Sequence, residues 1–78
     1  MTAPGPTPRQ LAAHLQKLRE DAKVTIEQLA ERSGLPIDRV ILIESGAVDQ
    51  NVEEVARYAM GLGLNLSNVF RSWERGLN

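Results

Sequence analysis

Apolar residues recur along this chain at spacings of three and four, and nowhere alternate strictly with polar ones. That pattern predicts helices and no strand. Leu11, Leu15 and Leu18 mark the inner face of a first helix. Leu29 and Ala30 do so for a second, and Val40 and Ile43 for a third. Val52, Val55, Tyr58, Ala59 and Leu62 form the stripe of a fourth, and Leu66, Val69, Phe70 and Trp73 that of a fifth. Punctuation residues separate them. "TPRQ" offers a Thr7 cap, Pro8 at the first helical position and Gln10 reaching back, and "TIEQ" repeats the pattern at Thr25 and Gln28. Gly34 suits the left-handed end of the second helix, and Pro36 opens the third with Asp38 near its positive pole. The third helix should end near Ser45–Gly46. Asn51 caps the fourth, with Glu53 and Glu54 complementing its dipole. Gly63 stops it, Gly61 weakening its last turn. Asn65 caps the fifth, which runs to about Arg75. The Pro- and Gly-rich start, residues 1–7, reads as a flexible tail before a single all-α domain over 8–78.

Two short helices joined by a Gly-containing turn, over about residues 25–45, have the spacing of a helix-turn-helix. The segments "LQKLRE", "TIEQLAERSGL", "RVILIESG" and "VEEVARYAMGLGLNLSNVF" carry a closer likeness. Across about residues 9–70 the chain resembles the XRE (Cro/cI-type) helix-turn-helix family, the DNA-binding domains of phage repressors. The resemblance implies a compact five-helix bundle of the lambda-repressor-like type, a homodimer, and a transcriptional regulator that binds double-stranded DNA. It also implies a structural ion pair between Arg19, near the end of the first helix, and Glu44, at the end of the third. Such a pair can be bidentate, and losing one partner would strand a charge.

The same resemblance exposes an oddity. In phage repressors a Gln follows the cap of the second helix and contacts DNA, and here that position is Ile26. Bases are read from the third helix, where this chain has Ile37, Asp38, Arg39, Ile41 and Leu42. Major-groove readout favours Arg, Lys, Gln and Asn, so only Arg39 qualifies. Ile and Leu can touch a thymine methyl. The following loop, "AVDQ", lacks the positive charge common in DNA binders. Ile26, Ile37, Ile41 and Leu42, rimmed by Asp38, are therefore expected to form an exposed apolar patch of the kind that marks a protein-interaction site.

Charge sharpens the same tension. Nine Lys and Arg balance ten Asp and Glu, for a net charge of −1, whereas nucleic-acid binders commonly carry a basic bias. Lys17, Lys23, Arg32 and Arg39, with Arg9, are the candidates for contact with DNA. Val69, Phe70 and Trp73 on the last helix are the candidate dimer surface, large aromatics being enriched at interfaces.

Other chemistry is excluded more firmly. There is no Cys and only one His, His14, so a metal site lacks convergent His or Cys ligands, and Ser33, Ser45, Ser67 and Ser72 have no Ser–His–Asp logic beyond that single His. No catalytic residue, cofactor or metal is expected. The longest apolar run is Val40–Ile43, far short of the ~20 residues of a membrane span, and the start lacks a signal-peptide pattern. The expectation is a cytoplasmic protein that is not an enzyme. Two functions stay open: a homodimeric DNA-binding regulator, and a helix-turn-helix scaffold turned to protein binding through its third helix.

Overall fold

A computed structural model describes residues 7–46 and 50–76. Five helices follow in order: α1 (Pro8–Asp21), α2 (Ile26–Ser33), α3 (Ile37–Ser45), α4 (Val52–Gly61) and α5 (Leu66–Gly76). No strand occurs among the described residues. α2 packs on α3 and α4, α1 on α3, and α5 on α4. The expected Pro/Gly tail lies almost wholly outside the described residues, as do Ala47, Val48 and Asp49 of the loop after α3.

The caps form where the side chains allow. Thr7 accepts from the Gln10 amide while the Gln10 side chain accepts from the Thr7 amide, and Thr25 and Gln28 repeat this. Asn65 and Asn68 make the same reciprocal pair at α5. Pro36 proves to be the N-cap of α3 rather than its first helical residue, and it brings no side-chain hydrogen bond. Between α2 and α3 the chain turns in three residues, Gly34, Leu35 and Pro36, with Gly34 at φ +76°. Ser33 steadies that turn by accepting from the Leu35 amide at 3.2 Å.

Leu15, Leu29, Val40, Ile43, Tyr58 and Val69 are the largest fully buried side chains, so every helix contributes to one core. Val52 departs from expectation. It shares the inner face of α4 by helical register, but it stands at the first position of the helix and is 70% exposed. The apolar stripe begins one turn later, at Val55. Gly61 is more than a weak point in α4: a Cβ there would lie 2.7 Å from Leu29 Cδ1 and 3.2 Å from Ser33 Cβ. Its bare backbone sets how closely α4 approaches α2.

A buried polar network holds α3 from three sides. Arg19 Nε donates to Glu44 Oε2 at 2.7 Å and Nη2 to Oε1 at 3.0 Å, while Nη1 donates to the Val24 carbonyl at 2.9 Å. The Tyr58 hydroxyl lies 2.6 Å from Glu44 Oε2 and 3.1 Å from the Leu15 carbonyl. The charged, closer acceptor takes its proton more strongly. Hydrogen bonding to Glu44 holds the Arg19 pKa above its ordinary value. Burial, reinforced by that carboxylate, pushes the Tyr58 phenol far above its own, so it stays a donor. Gln50 Nε2 adds bonds to the carbonyls of Ile43, at 3.1 Å, and Pro8, at 3.0 Å.

α1 and α4 end alike. In each, the second residue past the C-cap bonds back to the carbonyl five positions earlier: Val24 to Arg19 at 3.2 Å, and Leu64 to Ala59 at 2.9 Å. The residue just before the donor is left-handed in both, Gly63 at φ +76° and Lys23 at φ +59°. Gly adopts that conformation freely, and Lys does not.

Two stability changes follow. Lys23→Gly should stabilise the domain by about 0.5–1 kcal/mol, because it relieves a left-handed non-glycine residue. A thermal melt should show a midpoint raised by a few degrees. Glu44→Ala leaves the Arg19 guanidinium without its carboxylate and the Tyr58 hydroxyl with the Leu15 carbonyl alone, and should cost roughly 3–5 kcal/mol in urea unfolding. Replacing both charges, as Arg19→Met with Glu44→Leu, should recover most of that loss.

Candidate nucleic-acid interface

α3 is buried on one side through Val40 and Ile43. With 3.6 residues per turn, Asp38 and Leu42 then point away from the core, Ile37 and Ile41 lie on one flank, and Arg39 lies on the other, towards α4. The burial pattern agrees. Ile37, Ile41 and Leu42 are 45%, 48% and 39% exposed, Asp38 is exposed, and Arg39 is half-buried. Ile26 is corrected in part: at the first position of α2 it is half-buried and packs against the core cluster. The exposed apolar patch is therefore built chiefly from α3.

Arg39 is not a free side chain. Its Nε donates to Glu54 Oε2, and its Nη2 donates to Glu54 Oε1 at 2.8 Å. The hydrogen bond from Arg39 holds the Glu54 carboxyl below the ordinary glutamate range, and the same bond raises the guanidinium. The sequence assigned Glu54 to the cap and dipole of α4. Its backbone amide does donate to Asn51 Oδ1 at 2.7 Å, but its side chain is committed to α3. Glu53 pairs with Arg57 one turn along at 2.9 Å. Nothing in the local pattern announces the Arg39–Glu54 contact, because it depends on how α3 and α4 face each other.

Lys17, Lys23, Arg32 and Arg9 are exposed, on α1, at the α1–α2 turn and on α2. None of them makes an ion pair among the described residues. Glu27 and Glu31 are exposed on α2 beside Arg32. The surface around the helix-turn-helix is thus mixed in sign.

The candidate dimer residues separate. Val69 is fully buried inside the monomer, so it is corrected to core: no second chain can reach it. Phe70 is 36% exposed and Trp73 is half-buried. Trp73 meets His14 edge to face, with ring centroids 5.8 Å apart. His14 Nε2 lies 2.8 Å from Ser72 Oγ and 3.2 Å from the Val69 carbonyl, and Ser72 Oγ donates to that same carbonyl at 2.8 Å. Nε2 is thus within hydrogen-bond reach of both oxygens. His14 is thereby a tie between α1 and α5, a role its helical position alone did not suggest. Exposed apolar side chains also occur where none was expected, at Val52 and Met60 of α4. No group of three or more His, Cys, Asp or Glu residues that could hold a metal occurs among the described residues. None of their helices is long and apolar enough to cross a membrane.

The family profile described as "Helix-turn-helix domain" matches residues 10–69. Among solved structures, the clp gene regulator ClgR from C. glutamicum is 31% identical, with 90% of this chain and 91% of that chain covered at a TM-score of 0.72. The wild-type restriction-modification controller protein C.Esp1396I is 18% identical, with 95% and 96% covered at a TM-score of 0.82. A point mutant of that controller is likewise 18% identical, with 94% and 95% covered at the same TM-score of 0.82. At that identity the controller proteins speak for the fold alone. No curated protein matches the chain in sequence.

Proposed function

The chain belongs to the helix-turn-helix domain family, of the XRE (Cro/cI) type, and from that premise we propose that it is a cytoplasmic transcription regulator binding double-stranded DNA as a homodimer. The observation that carries this reading is the seat of α3. A short helix is locked by Val40, Ile43 and Glu44 so that its opposite face stands clear of the domain. A helix so presented is what the major groove admits. The solved structure that is 31% identical is named as a gene regulator, which supports regulation as the purpose.

In this reading Lys17, Lys23 and Arg32 take phosphates, which position the protein without reading sequence. Ile37, Ile41 and Leu42 meet thymine methyls, and Arg39 is the one side chain suited to a base edge. Paired copies, meeting through Phe70 and Trp73, would address half-sites about one turn, ~34 Å, apart. The fold family is one of regulators, and no catalytic role is assigned to any residue.

A second reading is favoured by a specific observation, the exposure of Ile37, Ile41 and Leu42 on the outward face of α3. That face would dock a protein instead of DNA.

Titration of labelled random-sequence duplex at increasing salt separates the two. A DNA binder should weaken along a log–log slope near −0.9 per phosphate contacted. Arg32→Ala should make that slope shallower by about one. No binding at low salt removes the DNA reading. Ile37→Lys with Leu42→Lys should preserve or raise non-specific DNA affinity if DNA is the ligand of this face.

A further inference from the structure

Among the described residues, four helices are capped by a side chain, from Thr7, Thr25, Asn51 and Asn65. In three of them the residue at the third helical position returns the bond: Gln10, Gln28 and Asn68. α4 is the exception. Glu54 occupies the equivalent place, yet its carboxylate leaves its own cap and crosses to Arg39 of α3.

The contact uses one edge of the guanidinium, Nε with Nη2. The other fork, Nη1 with the outer hydrogen of Nη2, has no partner among the described residues, and the Arg39 side chain remains 33% exposed. Two parallel N–H donors are what the O6 and N7 atoms of guanine accept in the major groove. A free arginine must give up rotamer freedom to dock there, whereas one already held by a carboxylate has given it up on folding. The paired carboxylate also cancels the charge. Arg39 therefore offers geometry with little net attraction for phosphate.

We propose that Glu54 is a positioning residue that presents the Nη fork of Arg39 as a pre-set reader of one guanine in each half-site. The inference rests on the DNA-binding reading above. It divides the labour on this surface. Lys17, Lys23 and Arg32 supply attraction that salt screens, and the Arg39–Glu54 pair supplies base preference that salt screens little.

The test is site selection from a randomised duplex pool, followed by affinity titrations across salt, for wild type, Arg39→Ala, Glu54→Ala and Glu54→Gln. Asn51 still caps α4 in Glu54→Ala, and Glu54→Gln keeps an oxygen acceptor should the alanine variant unfold; circular dichroism checks both. Wild type should select a guanine at a fixed position, preferred about tenfold or more over other bases. Arg39→Ala should lose that preference with an almost unchanged salt slope. Glu54→Ala should lose most of it too, while non-specific affinity rises and the slope steepens by about one, because the released arginine takes a phosphate. Glu54→Gln should fall between wild type and Glu54→Ala. If Glu54→Ala binds the selected site more tightly with its guanine preference intact, Glu54 merely shields Arg39 and the proposal fails. It fails equally if Arg39→Ala selects the wild-type motif. A wild-type protein that retains no duplex at low salt removes the DNA reading itself, an outcome distinct from the other two.

Discussion

Glu44 is a carboxylate placed where a helix least tolerates one, at the negative C-terminal end of α3, with its side chain only 7% exposed. An uncompensated charge there would undo a domain of this size. The chain compensates it twice, with the Arg19 fork from α1 and the Tyr58 hydroxyl from α4, and Arg19 is itself held by the Val24 carbonyl. The consequence for architecture is large. α3 has nine residues, below the ~12–15 at which an isolated helix becomes marginally stable. Its conformation and its direction are therefore set by tertiary contacts, by Val40 and Ile43 on its inner face and by Glu44 at its end.

Because that anchoring is complete on the inner side, the outward residues of α3 have no packing duty. Ile37, Ile41 and Leu42 contribute little to the core, so their presence on that face is not a requirement of the fold. The second cross-helix ion pair differs in kind from the first. Arg19 and Glu44 are 11% and 7% exposed, Arg39 and Glu54 33% and 14%. The inner pair is largely shielded from solvent and fixes α3 to the body of the domain. The outer pair borders solvent, with one guanidinium edge open, so a ligand can meet Arg39 without breaking what holds the fold.

Much of this was legible in the sequence where causes are local. A cap is decided within four residues, so "TPRQ" and "TIEQ" could be read directly, and Gly34 marked its turn because few residues tolerate a left-handed backbone. The inward positions of α1 to α3 followed from helical spacing. Legibility failed where the cause was the relative placement of helices. Val52 had the right register but lay beyond the reach of the core, and Val69 was needed inside rather than at a second chain. Glu54 looked like a capping residue, and only the approach of α4 to α3 diverted it to Arg39. Tyr58 was visible as an apolar position, but its hydroxyl partner was not, because that partner comes from another helix. Lys23 in a left-handed turn left no mark at all, since lysine is a poor signal for such a site.

The charge balance adds a last constraint on how such a domain can use DNA. Non-specific affinity grows with the number of phosphates neutralised, and here the exposed Lys17, Lys23 and Arg32, the proposed phosphate contacts, would be offset by the exposed Glu27 and Glu31 on a chain of net charge −1. A single copy has little electrostatic attraction to spend. Pairing two copies makes the second contact intramolecular and raises overall affinity without any new charge. In the proposed homodimer, the pairing surface would thus be as much a part of DNA affinity as the helix in the groove. With Val69 closed inside the monomer, such a surface would be drawn from side chains that stay accessible: among the described residues of α4 and α5, Val52, Met60 and Phe70 are exposed and Trp73 is half-buried.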